Sequence, residues 1–293
     1  MNRYRILVTG ANGLLGKAIS NLLLTHGHEV FALVRKKQNS ITSENYHEIE
    51  FDFLENFNSD KLPKNVNTVI HLAQSPEFKN FPNSANDIFS VNTLSTLRLL
   101  EFSRLNNVSK FIYASSGAIY KNENGLISED SKIIEIGSSN FYAISKLASE
   151  YLIGSYKEFM TTSILRFFFI YGPSQDSKML FPTLASKLMS GQPISLNGPE
   201  GIRINPIHVL DAANRLHEFI ENDLEGTFNV SGLQSVSIKE ICDLMANYLG
   251  VEPKYDVREN SVNLETQASS YGLSSSSKEL TLTEGIQDFL SWR

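Results

Sequence analysis

One stretch near the amino terminus narrows what this chain can fold into more than any other: Arg5-Ile6-Leu7-Val8-Thr9-Gly10-Ala11-Asn12-Gly13-Leu14-Leu15-Gly16. Its apolar and β-branched residues read as a buried strand that Thr9-Gly10 ends. Glycines at 10, 13 and 16 then lead into a helix whose apolar face is Leu14, Leu15, Ala18, Ile19, Leu22 and Leu23, with Gly27 as its stop signal. A strand, a glycine turn and a helix N-terminus are the parts that hold a dinucleotide pyrophosphate. Backbone N–H groups and the positive end of the helix dipole face the phosphates, and glycine both permits positive φ and lets the backbone come close. The spacing is TGxxGxxG rather than GxGxxG. Its position directly between a strand and a helix of suitable lengths makes it informative.

The chain repeats that grammar. Strands are expected at 30–34, 50–53 (the end of a short strand), 67–73, 110–115 and 163–171, with long helices at 88–104 and 141–159. Such alternation predicts an α/β chain with a Rossmann-type doubly wound parallel sheet. After Pro173 the elements shorten, which divides the chain into a dinucleotide-binding domain over 1–172, also receiving about 205–225, and a smaller α/β substrate lobe over 173–293. In that lobe helices are expected at 181–189, at 211–221 with Asp211 as N-cap, and at 237–249 behind a Ser237–Glu240 capping box. The polar stretch 260–277 is expected to be mobile, and a last helix carries Ile286, Phe289, Leu290 and Trp292.

Composition excludes several classes of function. The net charge is −6 and no basic block exceeds Arg35-Lys36-Lys37, which argues against nucleic acid as a partner. Cys242 is the single cysteine, so there is no intrachain disulfide and no thiolate metal site, as expected of a reducing cytoplasm. The chain enters its first strand without a signal-peptide pattern and lacks an apolar run of about 18 residues, so a cytoplasmic protein without a membrane partner is expected. His71 and His208 have no Cys or His cluster in sequence and read as packing residues; no metal is expected. Cys242, on an apolar helix face, reads as inert, and Phe167, Phe168 and Phe169 as strand core.

Tyr142-Ala143-Ile144-Ser145-Lys146 puts a phenol and an ammonium one helical turn apart on one face. Eleven tyrosines make one such spacing by chance unsurprising, but this one follows a strand ending in Ser115-Ser116 in a chain with a dinucleotide turn. To act as a base near neutral pH a tyrosine must lose about three pKa units, roughly 4 kcal/mol. An ammonium about 4 Å away at an effective dielectric near 20 contributes on that order.

Taken in order, Thr9-Gly10-x-x-Gly13-x-x-Gly16, His71-Leu72-Ala73, Asn92, Ser115-Ser116-Gly117-Ala118-Ile119-Tyr120, Tyr142-x-x-x-Lys146, Leu165-Arg166-Phe167, Tyr171-Gly172-Pro173 and Pro206-Ile207-His208-Val209-x-Asp211 carry a resemblance. The chain resembles the extended short-chain dehydrogenase/reductase family, in its NAD-dependent epimerase/dehydratase branch, along nearly its whole length. The resemblance implies that Tyr142 is the acid/base, that Lys146 lowers its pKa and binds the nicotinamide ribose, and that Ser116 binds the reacting oxygen, with Ser115 its neighbour. It implies a cofactor site of Gly10, Asn12, Gly13, Leu14, Gly16, Arg35, Asp52, Phe53, Leu72, Ala73, Asn92 and Phe169 alongside Tyr142 and Lys146. Gln74 and Arg203 would meet the substrate. On residue type alone, Asn92 can equally be a helix N-cap, Asp52 a turn former, and Arg203 a partner of Glu200.

Within the branch, dehydration needs a carboxylic acid pair after the strand-five hydroxyl, where this chain has Gly117-Ala118. That leaves 4-epimerisation or 4-keto reduction of a nucleotide-activated sugar. Phe169 stands where the branch's 4-epimerases carry a diphosphate-binding asparagine, and Ile204 where they carry an arginine, with Arg203 one position earlier. Those departures keep open an NADPH-dependent reductase of a small aldehyde or ketone. A catalytically silent dinucleotide-binding regulator is a third reading, against which the intact Ser116/Tyr142/Lys146 set argues. The second strand ends in Val34 rather than an acid, with Arg35 next, which favours the 2′-phosphate of NADP(H) over NAD(H). The resemblance also implies a homodimer packed through the helices at 88–104 and 141–159.

Overall fold

The computed structural model describes residues 3–39, 41–121, 125–135, 137, 140–258, 266–268 and 279–292. The chain forms two compact units, the first of residues 1–121, 132–167 and 213–228, the second of 122–131, 168–212 and 229–293.

The first unit is built on β1 (Arg5–Thr9), β2 (Glu29–Val34), β3 (Tyr46–Glu50), β4 (Thr68–His71) and β5 (Lys110–Ser116). With the strands Thr161–Phe167 and Gly226–Val230 they make a seven-stranded sheet, in the order Gly226–Val230, Thr161–Phe167, β5, β4, β1, β2, β3. Strands β1 to β5 and Thr161–Phe167 pair in parallel. Ile6, Leu7, Val8, Val30, Val69 and Ile70 are fully buried, the near-continuous apolar pattern of strands covered on both faces. Strand order reverses between β1 and β4, so a crevice opens at their carboxyl ends, where Thr9 lies opposite His71.

Helix α1 (Leu14–Thr25) follows β1 and buries Leu15, Ile19 and Leu23. The single helix expected over 88–104 is α2 (Ala85–Phe89), a π-helical turn Ser90–Leu94 and α3 (Ser95–Leu105). Side chains compete with the ladder there: Ser95 Oγ donates to Val91 O, while Thr96 Oγ1 and Ser149 Oγ donate to Asn92 O. Helix α4 (Phe141–Gly154) stops short of the expected 159, because Ser155, Tyr156 and Phe159 donate to carbonyls three residues back, in turns rather than an α-helix.

In the second unit the helices Leu180–Met189, Ile238–Leu249 and Leu282–Ser291 bury Phe181, Leu184, Ile241, Met245, Ile286 and Phe289 in one core with Tyr171 and Cys242. The capping box is present: Ser237 Oγ accepts from Glu240 N at 3.0 Å and Glu240 Oε2 accepts from Ser237 N. Asp211 is no N-cap. The helix begins at Val209, and Asp211 lies in its first turn, where Oδ2 accepts from Leu280 N at 3.2 Å. Burial pushes the Cys242 thiol up to about 12, so it is an unreactive core residue. The 260–277 stretch lies outside the described residues apart from Thr266–Ala268, which pairs with Gly125–Ile127. Among the described residues no helix is long and apolar enough to cross a membrane.

A buried polar chain fixes the crevice between β1 and β4. Thr9 Oγ1 accepts the N–H groups of Leu72 (3.1 Å) and Ala73 (3.0 Å) and gives its own proton to His71 Nδ1 (2.7 Å). His71 Nε2 then donates to Thr96 Oγ1 and Ser95 Oγ, both at 3.1 Å, whose own protons go to carbonyls. The neutral tautomer is thereby determined, and no position remains for a second proton. Burial, with the Lys146 charge adding to it, holds His71 down at about 3. In the unfolded chain the same imidazole titrates near 6.5, so between those values the unfolded state binds the extra proton and stability falls as pH falls. The loss from this group is about 1.4 kcal/mol per pH unit. Urea unfolding from pH 7 to 4.5 is expected to show a steeper decline for the wild type than for His71→Asn, a variant already less stable at pH 7; equal slopes would refute the assignment.

Candidate functional site

The glycine turn is shaped by close approach. Gly10 has φ +66°, and a Cβ there would stand 3.0 Å from the backbone of Leu72 and Ala73. At Gly16 a Cβ would come within 2.2 Å of Gly10 O, so the first turn of α1 rests directly on the loop. Gly13 N donates to Gly10 O at 2.9 Å and serves as the N-cap of α1, with no side-chain cap and no acid in the first turn. The N–H groups at that helix end are therefore left for an anionic ligand. Asn12 Nδ2 donates to Lys36 O at 3.2 Å, tying this loop to the Arg35-Lys36-Lys37 segment that follows β2. Arg35 is exposed.

On the next strands the predicted cofactor residues offer different groups. Asp52 Oδ1 accepts from Leu54 N at 2.9 Å, a turn-forming bond, and the half-buried carboxylate follows β3 rather than ending it. The Phe53 ring packs in the core, 5.3 Å from Phe51 and 6.1 Å from His71, so it presents only backbone to a ligand. The N–H groups of Leu72 and Ala73 are already taken by Thr9. Asn92 is not a helix N-cap: it lies in the π-helical turn, fully buried, and its Oδ1 accepts from Ser75 N while its Nδ2 donates to Ser145 Oγ, both at 2.9 Å. Asn92 thus fastens the loop after β4 to α4.

Ser116, Tyr142 and Lys146 come together at the carboxyl end of β5. The Tyr142 hydroxyl donates to Gln74 Oε1 at 3.0 Å and also shares a hydrogen bond with Ser116. The Phe78 ring packs 5.2 Å from it. Burial pushes Tyr142 up to about 12, with the Ser116 hydrogen bond opposing the rise. Burial likewise brings Lys146 down to about 7, opposed by Glu150. Lys146 is 2% exposed; its Nζ donates to Ala114 O at 2.8 Å and stands 6.0 Å from the Tyr142 ring. The expected ammonium some 4 Å from the phenol is therefore not what governs Tyr142 here. The amine is turned to a backbone carbonyl, and desolvation of both groups dominates.

Sequence reasoning missed Glu150, although Tyr142, Lys146 and Glu150 recur every four residues on one face of α4. Glu150 is buried beneath the site and takes a bidentate pair from Arg166, Nε to Oε1 at 3.1 Å and Nη2 to Oε2 at 2.7 Å. Ser115 Oγ donates to the same carboxylate, and Arg166 Nη1 donates to the Tyr120 hydroxyl at 2.7 Å. Ser115 is thus committed to this ion pair, and Ser116 is the serine at Tyr142.

Two predicted residues lie in the second unit. Arg203 pairs not with Glu200 but with Glu240 (3.4 Å), and its Nη2 donates to Ser235 O at 2.6 Å. Phe169 is not strand core. It is 45% exposed with φ +43°, between the strands Thr161–Phe167 and Ile170–Tyr171. His208 is buried, as a packing residue should be.

The chain is similar to several known proteins. A family model described as "NAD dependent epimerase/dehydratase family" matches residues 6–231. The Bacillus subtilis protein named "Uncharacterized UDP-glucose epimerase YtcB" is 25% identical, over 84% of this chain and 82% of its own. A Methanocaldococcus jannaschii protein named "Putative UDP-glucose 4-epimerase" is 27% identical over 98% of this chain and 97% of its own. Among solved structures, MoeE5 in complex with UDP-glucose and NAD is similar with a TM-score of 0.83 and 27% identity, covering 98% of both chains.

Left-handed backbone suits asparagine and strains a bulky residue, at about 1 kcal/mol or more. Because Phe169 is half exposed and contributes little burial, Phe169→Asn is expected to raise the stability of the protein by about 1 kcal/mol. The urea midpoint checks this, and a lower midpoint would show the ring to be anchoring the loop instead.

Proposed function

The chain belongs to the NAD-dependent epimerase/dehydratase family, and from that premise we propose that it is a nucleotide-sugar 4-epimerase working with NAD. The observation that carries the reading is the Tyr142 hydroxyl, held by Ser116 and Gln74 one helical turn from the buried Lys146. The glycine loop fits a dinucleotide: its cradle would be filled by a Cβ, and the end of α1 carries no side-chain cap. When bound, the nicotinamide supplies hydride acceptance and return. In this reading Gly10, Asn12, Gly13, Leu14 and Gly16 would hold the pyrophosphate, Asp52 and the Phe53 backbone would meet the adenine, and Leu72 and Ala73 would lie along the cofactor, with Asn92 fastening their loop. The absence of an acid pair at Gly117-Ala118 supports epimerisation over dehydration.

Ser116 donates a hydrogen bond to the sugar oxygen at the reacting carbon, and Tyr142 moves the proton on that oxygen. Burial, opposed by the Ser116 hydrogen bond, pushes Tyr142 up to about 12, so the phenol is protonated at neutral pH. Lys146 would hold the nicotinamide ribose, and its positive charge would favour the phenolate form of Tyr142. Glu150, paired with Arg166, favours the charged form of Lys146. Interconversion of UDP-glucose or UDP-glucuronic acid with its 4-epimer, followed chromatographically, tests the assignment. Tyr142→Phe is expected to bind the UDP-sugar normally and to turn it over about 100- to 10,000-fold more slowly; wild-type turnover in that variant would overturn the mechanism.

One observation favours a second reading, an NADPH-dependent reductase: Val34 replaces the ribose-binding acid and the exposed Arg35 follows it. MoeE5, which is 27% identical, has NAD in its solved complex, and this supports NAD as the cofactor. Titration with NADH and NADPH by cofactor fluorescence distinguishes them. We expect NADH to bind at least as tightly as NADPH, and Arg35→Ala to leave its affinity within about 2-fold; an NADPH preference lost in Arg35→Ala would favour the reductase.

We further propose a homodimer through the helices at 85–105 and 141–154. Phe89, Ile144 and Tyr151 are exposed there, apolar side chains that a partner copy would cover. Sedimentation velocity at micromolar concentration is expected to give a dimer and, for Tyr151→Glu, a monomer; a wild-type monomer would end this proposal.

A further inference from the structure

We propose that His28, His217 and Glu221 form a binding site for a divalent transition metal of the zinc type, at the end of the sheet away from the glycine loop. His28 is held by the turn after α1, where Gly27 has φ +80° and His28 N donates to Leu23 O at 3.1 Å. It directly precedes β2. His217 and Glu221 lie one turn apart on one face of the helix Val209–Glu221. Their ligand atoms converge: His28 Nε2 is 3.3 Å and His217 Nε2 3.8 Å from Glu221 Oε1, and all three lie within 4.8 Å of one another. Bonds of about 2.0–2.1 Å in a tetrahedral zinc site separate neighbouring ligands by about 3.4 Å, so the three atoms need close by little more than an ångström.

The His28 side chain is fully buried and that of His217 only 13% exposed; His28 Nε2 faces the Glu221 carboxylate, and His217 Nε2 has no hydrogen-bond partner among the described residues. Two imidazole nitrogens and a carboxylate oxygen that converge on one point can hold a cation once the imidazoles turn lone pairs toward it. Ligation requires neutral imidazoles, and burial lowers both histidines, His217 to about 4. Glu221, with its side chain 31% exposed, offers the way in and leaves a coordination position for water. Two imidazoles and one carboxylate without thiolate suit zinc, cobalt or nickel, whereas calcium and magnesium take oxygen sets. One adjustment accompanies binding. Tyr4 N donates to His28 Nδ1 at 3.3 Å, so the neutral ring carries its proton on Nε2; metal at Nε2 moves that proton to Nδ1 and breaks this long bond. His26, whose ring lies 4.2 Å from that of His217, keeps its Nδ1 on Leu22 O and stays outside the ligand set.

None of the three residues belongs to the proposed catalytic machinery, so the expected effect is a staple joining the turn before β2 to the helix at 209–221. The test uses untagged, EDTA-treated full-length protein with Zn2+ or Co2+ as the only additions. One equivalent should bind by equilibrium dialysis, Co2+ should give the visible absorption of a four- or five-coordinate site, and the thermal midpoint should rise with Zn2+. His217→Asn and Glu221→Gln, which leave the buried His28 in place, should each weaken binding by at least about 10-fold and abolish the thermal shift, with basal turnover unchanged. No stoichiometric binding in the wild type, or binding equally tight in both variants, overturns the site.

Discussion

The Thr9 hydroxyl is the contact on which the rest of the first unit depends. It accepts the backbone N–H groups of Leu72 and Ala73 and donates to His71, so one oxygen decides how closely the end of β4 approaches the end of β1. Gly10, the next residue, is packed against the same two residues with no space for a Cβ. The separation of the two loops and the conformation of the glycine turn are therefore set together. A larger residue at 10 or a charged imidazole at 71 would push the loops apart. Buried hydrogen-bond chains of this kind tolerate one arrangement of protons, and here the tautomer of His71 follows from the carbonyls that Ser95 and Thr96 already serve.

The same economy continues beneath the reacting groups. Helix α4 presents Tyr142, Lys146 and Glu150 on one face, and each is matched from a different element: Gln74 after β4, Ala114 in β5, and Arg166 in the strand Thr161–Phe167. A buried lysine loses much of its charge to desolvation; Glu150 pulls the other way, while Arg166 prevents the carboxylate from simply capturing the amine. The site is thus an electrostatic balance spread over three strands and a helix. Truncating one partner of the buried Glu150–Arg166 pair leaves the other uncompensated, which is far more harmful than losing a surface ion pair.

The opposite end of the sheet shows the same physics with a different outcome. There the imidazoles of His28 and His217 converge on the Glu221 carboxylate, and His217 Nε2 has no hydrogen-bond partner among the described residues. The Thr9–His71 chain closes on itself with protein groups alone. The His28 cluster does not, and the proposed cation would complete it.

Read alone, the sequence determines the features that depend on neighbours within about one helical turn or one strand. These are the glycine turn, whose φ and close approaches demand glycine; the parallel sheet, written in apolar runs separated by amphipathic helices; the Tyr142/Lys146 spacing; and the Ser237–Glu240 capping box. Only the tertiary structure decided which distant groups meet. Periodicity puts Glu150 on the helix face of Tyr142 and Lys146 but does not show that it binds Arg166, nor that Asn92 binds Ser75 and Ser145. It cannot separate Glu240 from Glu200 as the partner of Arg203, nor place Lys146 on Ala114 rather than on the phenol. Phe169 reads as core because it continues an aromatic run, yet the chain must turn there and puts it at positive φ. His28 and His217 are 189 positions apart (217 − 28), and spacing carries no information about a contact made by folding the turn between α1 and β2 against the helix Val209–Glu221. Local sterics and burial periodicity are encoded residue by residue. Pairing energies between buried polar groups depend on distances that exist only once the chain is packed.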